Sequence, residues 1–183
     1  PCAATNDSYP KIINERHYRR LLDLIQTEED VIGGESNDSD RKIAPAIFPH
    51  ADFDHEIMKE EIFGPLIPVI EYQDIESVIG AIKQLERPLA CYVFTQNDSQ
   101  ANRIIQGLSF GGGCVNDAIM HFTNHYLPFG GVGNSGMGSY HGKFGFDTFS
   151  HKKGIVRNTV KIDVPARYAP FDCAKLRLLK KIL

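Results

Sequence analysis

Residues 66–116 read LIPVIEYQDIESVIGAIKQLERPLACYVFTQNDSQANRIIQGLSFGGGCVN, and this stretch decides the fold class. Residues 66–72 form an apolar run suited to a strand. Asp74 then stands where a helix N-cap belongs, and an apolar-periodic segment follows it to about Glu86. Residues 89–95 repeat the apolar run, and Asn97 or Asp98 supplies a second N-cap for a helix to about Gln106. Residues 113–116 then make a third short strand leaving a glycine run. These strands are apolar along their length rather than alternating, and helices of about ten residues separate them. The pattern predicts an α/β fold, an open, mostly parallel sheet with helices on both faces.

Upstream, Asn14 can cap a helix to about Gln26 in which Tyr18, Leu21, Leu22 and Ile25 fall at helical spacing while Arg16, Arg19 and Arg20 lie elsewhere. Gly33-Gly34 ends a short extended piece, residues 35–40 form a polar surface loop, and residues 43–48 read as a strand interrupted by Pro45. A proline cannot donate to a ladder, so an edge position is expected for that strand. Downstream, residues 107–145 hold 11 glycines in 39 positions and cannot be regular structure throughout. Shaped loops this long within a compact domain are usually functional. Residues 155–162 look like a further strand, 165–170 a bend, and 175–183 a short basic amphipathic helix.

Composition narrows the function classes. The 183 residues are 42% hydrophobic, 23% charged and 10% aromatic, which suits a globular domain and excludes disorder and collagen. Twenty basic against 23 acidic residues, with a net charge of -3 and no long run of one sign, argue against a nucleic-acid partner held by bulk charge. Cys2, Cys91, Cys114 and Cys173 lie far apart without C-x-x-C pairing, so neither a zinc knuckle nor a disulfide framework is suggested and a reducing, cytoplasmic setting fits. No apolar run reaches the length of a membrane span, and the first residues carry no signal-peptide pattern. The chain has no initiator Met, which suggests that it begins within a longer polypeptide.

Several motifs point to chemistry that their context does not support. Gly131-Val132-Gly133-Asn134-Ser135-Gly136 matches G-x-G-x-x-G, yet it follows Leu127-Pro128-Phe129-Gly130 instead of an apolar strand, no helix pattern follows at once, and Val156 stands where an acidic ribose ligand would. A structural turn is the better reading. Ser135 misses the nucleophile-elbow pattern because Met137 replaces its second glycine. His55-Glu56 lacks the second histidine of a zinc protease, since Lys59 holds that position, and His121 with His125 has no third ligand at suitable spacing, so no metal is expected. Lys59-Glu60-Glu61-Ile62-Phe63-Gly64-Pro65 is more specific: it puts carboxylates and a flat ring at the mouth of a buried strand, where open α/β sheets bind ligands. A carboxylate there can hold paired ribose hydroxyls; equally, Glu60 and Glu61 can be solvated charges and Phe63 a core residue.

Taken together, Glu60-Glu61-Ile62-Phe63-Gly64-Pro65, Val115-Asn116-Asp117, the segment from Leu127-Pro128-Phe129-Gly130-Gly131 through Tyr140-His141-Gly142-Lys143, and Phe149-Ser150-His151 resemble the aldehyde dehydrogenase superfamily, in its class 3, fatty aldehyde dehydrogenase-like branch. Ile12-Ile13-Asn14-Glu15-Arg16-His17 resembles the same branch, and the likeness spans about residues 8–170. The resemblance implies oxidation of medium- or long-chain, or aromatic, aldehydes to carboxylic acids with NAD or NADP, through a cysteine nucleophile and a glutamate general base. By resemblance, Glu61 binds the nicotinamide ribose and Phe63 packs near the nicotinamide ring. Asn116, Ile119, Phe122, Thr123 and His141 lie along the substrate tunnel, and Phe129 supports the glycine-rich loop.

The resemblance also implies what this chain lacks. None of its cysteines stands in the family's nucleophile context, and the nucleophile and general base are expected upstream, so the chain alone should be inactive. Cys114 reads as an inert, buried thiol at a small-residue position. The expected organisation is an unmatched stretch 1–8, a partial catalytic domain 9–150, and an oligomerisation strand with a basic tail 151–183. The strand at 155–162 would join a second copy to make a homo-oligomer, a dimer in the simplest case. Apolar surface left uncovered by the missing coenzyme domain should promote self-association. The alternative is a non-catalytic, truncated paralogue serving as a binding or assembly module.

Overall fold

In the computed structural model, which describes residues 3–182, the chain folds around one main apolar cluster near its N-terminal end. Helix α1 (Glu15–Ile25) opens on Asn14, whose side chain accepts from the His17 N–H at 2.9 Å. Its apolar face buries Tyr18 and Leu21 completely, and Leu22 and Ile25 pack at the rim, as the spacing predicts. Ile43, Ala46, Phe48, Ala51, Ile57 and Leu66 complete the cluster.

The strands that meet α1 are short. β1 (Ile32–Gly33) pairs antiparallel with β4 (Ala46–Phe48), which pairs parallel with β5 (Leu66–Pro68), while β2 (Ser36–Asn37) and β3 (Lys42–Ile43) make a separate antiparallel pair. Here the edge expectation for residues 43–48 fails: β4 is the middle strand of β1-β4-β5. Pro45 sits between β3 and β4 rather than inside a ladder, and it contributes its carbonyl to the Gly34 N–H at 3.1 Å, so its missing donor costs nothing. Ion and hydrogen-bond partners close the polar side of this unit: the Tyr18 hydroxyl donates to Asp38 at 2.6 Å, and the buried Lys42 ammonium donates to the Asn6 carbonyl at 2.9 Å.

The expected strand-helix alternation follows. Helix α2 (Ile75–Ile82) starts on the Asp74 cap, β6 (Ala90–Val93) follows, α3 (Asp98–Gly107) starts on the Asn97 cap, and β7 (Gly112–Val115) pairs parallel with β6. Arg103 on α3 grips Glu76 on α2 through a two-pronged ion pair that ties the helices together. The parallel pairs are therefore present, but β5 and β6 do not join, and the sheet is divided into small open pieces. Apolar strand residues such as Ile67 and Tyr92 lie exposed at 53% and 38%. Those side chains occupy strand positions that read as covered on both faces, and nothing in the described chain covers them.

Beyond β7 come a short helix α4 (Met120–Thr123), a glycine-rich hairpin, and helix α5 (Gly142–Thr148). Residues 151–163 are irregular and exposed, with Val156 at 94% and Val160 at 102%. The strand expected at 155–162 does not form, because no neighbouring strand in the described chain offers it a ladder. The tail ends in helix α6 (Cys173–Ile182), where Lys175 is folded back to donate to the Tyr168 and Pro170 carbonyls at 3.0 and 2.8 Å. Cys2 and the last residue of the predicted tail helix, Leu183, lie outside the described residues.

Candidate functional site

Two concave regions gather the residues that the sequence singled out. The first is a groove of about 830 Å³ between the loop carrying Glu60 and Glu61 and the tip of the glycine-rich hairpin at Asn134 and Ser135, with Arg87 and Leu89 also in its lining. Helix α1 holds the acidic loop from behind. Arg20 donates a hydrogen bond to the Ile62 carbonyl, and Gly64 lies so close to Leu21 that a Cβ there would come within 2.6 Å of both leucine methyl carbons. Glu61 is thus an exposed acceptor on a loop anchored at its neighbours. Asn134 reaches across to Glu86 and helps to close the far side of the groove.

The hairpin itself is built from the motif that resembled a nucleotide-binding loop. Phe129 and Tyr140 exchange main-chain bonds of 3.1 and 2.9 Å at its base, and Gly133 and Gly136 bridge at its tip. The Ser135 hydroxyl accepts from the Val132 N–H at 2.9 Å and donates to the Val132 carbonyl at 3.2 Å, so it is engaged in the turn. The glycines allow the two arms to touch, a structural turn rather than a helix N-terminus.

At the base of the hairpin lies the second region, a cavity of about 660 Å³ lined by Phe122, Thr123, His125, Tyr140, His141 and Phe146, among others. Its aromatic walls are backed by Phe129, which Phe122 meets edge-on with centroids 5.0 Å apart, and Tyr140 meets His141 at 4.3 Å. His141 is buried, and its Nδ1 lies 2.9 Å from the Leu127 carbonyl. A carbonyl only accepts, so the proton sits on Nδ1 and the ring orientation is locked.

Of the five residues expected along a tunnel, the structure brings Phe122, Thr123 and His141 to this cavity. Ile119 stands just outside, 60% exposed and in left-handed backbone geometry (φ 68°) that a β-branched residue adopts only under constraint. Asn116 is occupied elsewhere. Its side chain accepts from the Thr95 N–H and donates to the Thr95 carbonyl, both at 2.9 Å, and so clasps the end of β6 to β7. Phe63 is 77% exposed and is not part of the Glu61 groove wall.

Sequence reasoning missed two partners. Arg20, placed by its spacing off the apolar stripe of α1 and given no role there, is the anchor of the acidic loop. His121, weighed only as a metal ligand, is buried between Tyr92 and Phe129 and lies beside Cys114. The signal for the second was a cysteine and a histidine seven positions apart across a tight turn, and only the turn brings them together. Among the described residues no group of three or more His, Cys, Asp or Glu side chains forms a metal-binding cluster, and no helix is long and apolar enough to cross a membrane.

A model of the aldehyde dehydrogenase family matches residues 6–155. This chain belongs to the aldehyde dehydrogenase family. It is 47% identical over 177 residues to aldehyde dehydrogenase family 3 member A2 of Rattus norvegicus, covering 96% of this chain and 37% of that protein. It is 42% identical over 174 residues to the 4,4'-diaponeurosporen-aldehyde dehydrogenase of Staphylococcus aureus, covering 94% and 38%. These relatives bear out the class 3 resemblance. Among solved aldehyde dehydrogenases, a substrate-bound state of Staphylococcus aureus AldH superposes with a TM-score of 0.83 at 40% identity, covering 95% of this chain and 38% of that one. An NAD+ complex from Bacillus cereus matches with a TM-score of 0.70 at 28% identity, covering 79% of this chain and 30% of that one. The open α/β architecture is therefore that of an aldehyde dehydrogenase, and the chain spans well under half the length of the relatives it matches.

Proposed function

We propose that this chain supplies the aldehyde-binding wall and part of the coenzyme seat of a longer NAD(P)-dependent enzyme that oxidises medium- or long-chain, or aromatic, aldehydes to carboxylic acids. One observation carries this reading: Phe122, Thr123 and His141, distant in type and partly in sequence, converge with Tyr140 and Phe146 on a cavity of about 660 Å³. That volume is in the range of small-molecule sites, and its aromatic lining suits an aliphatic or aromatic tail far better than a polar one. Thr123 and the locked His141 offer polar contacts among those rings, and Ile119 extends the apolar surface outward.

The groove beside Glu61 has the chemistry of a coenzyme seat. Its carboxylate can accept from both hydroxyls of a ribose, Arg87 and the hairpin tip share the lining, and Phe63, exposed outside the groove wall, would be free to pack near the nicotinamide ring. The coenzyme, when bound, supplies the hydride acceptor. Phe129 acts through packing, holding the hairpin that separates the two regions. The cysteine nucleophile and the general-base glutamate belong to the remainder of the polypeptide, so this chain alone has no turnover. Residues 9–150 are the catalytic portion and 151–183 the oligomerisation portion. Residues 155–162 join the sheet of a second copy in a homo-oligomer, supported by their exposed β-branched side chains. A cytoplasmic setting accords with cysteines that show no disulfide framework.

The test is NAD(P)H formation with a medium-chain aldehyde. The 183-residue chain should show none, and in the longer enzyme Glu61→Gln should raise KM for the coenzyme about tenfold or more while leaving the urea midpoint unchanged. Turnover by the chain alone, or an unaltered coenzyme KM in Glu61→Gln, would refute the assignment.

A further inference from the structure

Cys114, read from the sequence as an inert thiol, has a histidine beside it in the fold. It is half-buried on β7, which pairs parallel with β6 alone. The chain then turns through residues 116–119 and returns at α4, which places the His121 main-chain N–H 3.3 Å from the Cys114 sulfur, as a donor to it. The imidazole follows, with Nδ1 3.7 Å from the same sulfur. His121 is only 8% exposed and its Nε2 has no hydrogen-bond partner. The ring rests on the bare face of Gly112, where a Cβ would approach its Cδ2 to 2.9 Å, and is held at its edges by Tyr92 and Phe129.

A buried imidazole whose only described polar contact is a thiol, and a sulfur that already receives a main-chain donor, form a nucleophile-base pair. We infer that Cys114 and His121 constitute a covalent modification site for α,β-unsaturated aldehydes, with His121 as the base. In the step, the Cys114 sulfur bonds to the β-carbon of the enal while the thiol proton passes to His121 Nδ1. The carbon-carbon π pair shifts to the α-carbon, which then takes that proton back. The product is a thioether with the aldehyde retained, and no oxidant or further reactant is needed. The class of electrophile rests on the aldehyde reading of the neighbouring cavity: Phe122, the residue after His121, lines it, and Phe129 touches both rings. An adduct on Cys114 would push on His121 and through it on the Phe129 stack at the base of the hairpin.

The other described cysteines are internal references. Burial raises the Cys91 thiol above its ordinary range and makes it a poor nucleophile, whereas Cys173 is exposed and has no imidazole beside it. The experiment treats the chain with 2-hexenal and follows adduct formation on the separate Cys114, Cys91 and Cys173 peptides by mass spectrometry. Cys114 should react at least about tenfold faster than the more exposed Cys173, and His121→Gln should bring it below Cys173 without altering the Cys173 rate. A wild-type Cys114 no faster than Cys173 overturns the assignment, as does a Cys114 rate unchanged in a folded His121→Gln. If that variant unfolds, seen as rapid labelling of Cys91, the wild-type comparison decides alone. None of these readouts involves Glu61 or the coenzyme, so failure here is distinguishable from failure of the dehydrogenase reading.

Discussion

Gly64→Ala probes the contact that couples the acidic loop to the core. The added methyl would stand 2.6 Å from both Cδ1 and Cδ2 of Leu21 and 3.2 Å from its Cγ, far inside van der Waals contact. Leu21 is the far end of a side chain and could in principle yield, but it is completely buried among Tyr18, Ile43, Phe48 and Leu66, so no free volume awaits it. Backbone strain is not the issue, because Gly64 does not adopt positive φ. The cost is therefore that of overpacking, about 1–3 kcal/mol. With a urea dependence of about 2 kcal/mol per molar, the midpoint should fall by about 1 M. A double-mutant cycle isolates the cause. Leu21→Ala alone should cost about 2–5 kcal/mol by leaving a cavity. In that background Gly64→Ala should become neutral or favourable, since its methyl enters the vacated space, giving a coupling of at least about 1 kcal/mol. Equal costs in the two backgrounds, or a cost below about 0.5 kcal/mol in the native one, would refute the packing argument.

Two further expectations follow from the same core and from the tail. Burial, and then the hydrogen bond to Asp38, raise the Tyr18 phenol above its ordinary 10.0, so the fold favours the neutral form. That stabilisation is complete below pH 10 and is lost as pH rises through the folded value; Tyr18→Phe should flatten the alkaline fall in urea midpoint while costing about 1 kcal/mol at neutral pH. An alkaline slope that survives Tyr18→Phe would assign it to other groups. Val156→Lys combined with Val160→Lys places charge on side chains that are 94% and 102% exposed, so intramolecular stability should not change. Light scattering should show reduced self-association if residues 155–162 form an intermolecular strand, and an unaltered mass distribution would remove that segment from the interface.

Much of the fold was legible because its signals are local. Asn14, Asp74 and Asn97 are N-caps by virtue of one side-chain oxygen and three residues of helix, and each caps as expected. The period of Tyr18, Leu21, Leu22 and Ile25 selected the buried face of α1, and the paired apolar runs before and after α3 became parallel strands. Pro45 misled because its chemistry bars it from a ladder but does not say on which side of a strand it falls. The 155–162 segment stays irregular in the single chain for a different reason: a strand is a pairing, and the propensity of one segment cannot provide the neighbour that completes it.

The candidate site divides along the same line. Sequence by itself determined the family, the helix caps, the glycine-rich turn and the carboxylate at Glu61, since each is a property of contiguous residues. Tertiary structure decided which of them meet. It drew Phe122, Thr123 and His141 to one cavity, committed Asn116 to Thr95, turned Arg20 toward Ile62, and set His121 against Cys114. Such encounters depend on how a turn reverses the chain and how a helix seats on a loop, and those geometries are settled by close packing over long sequence separations rather than by any local pattern.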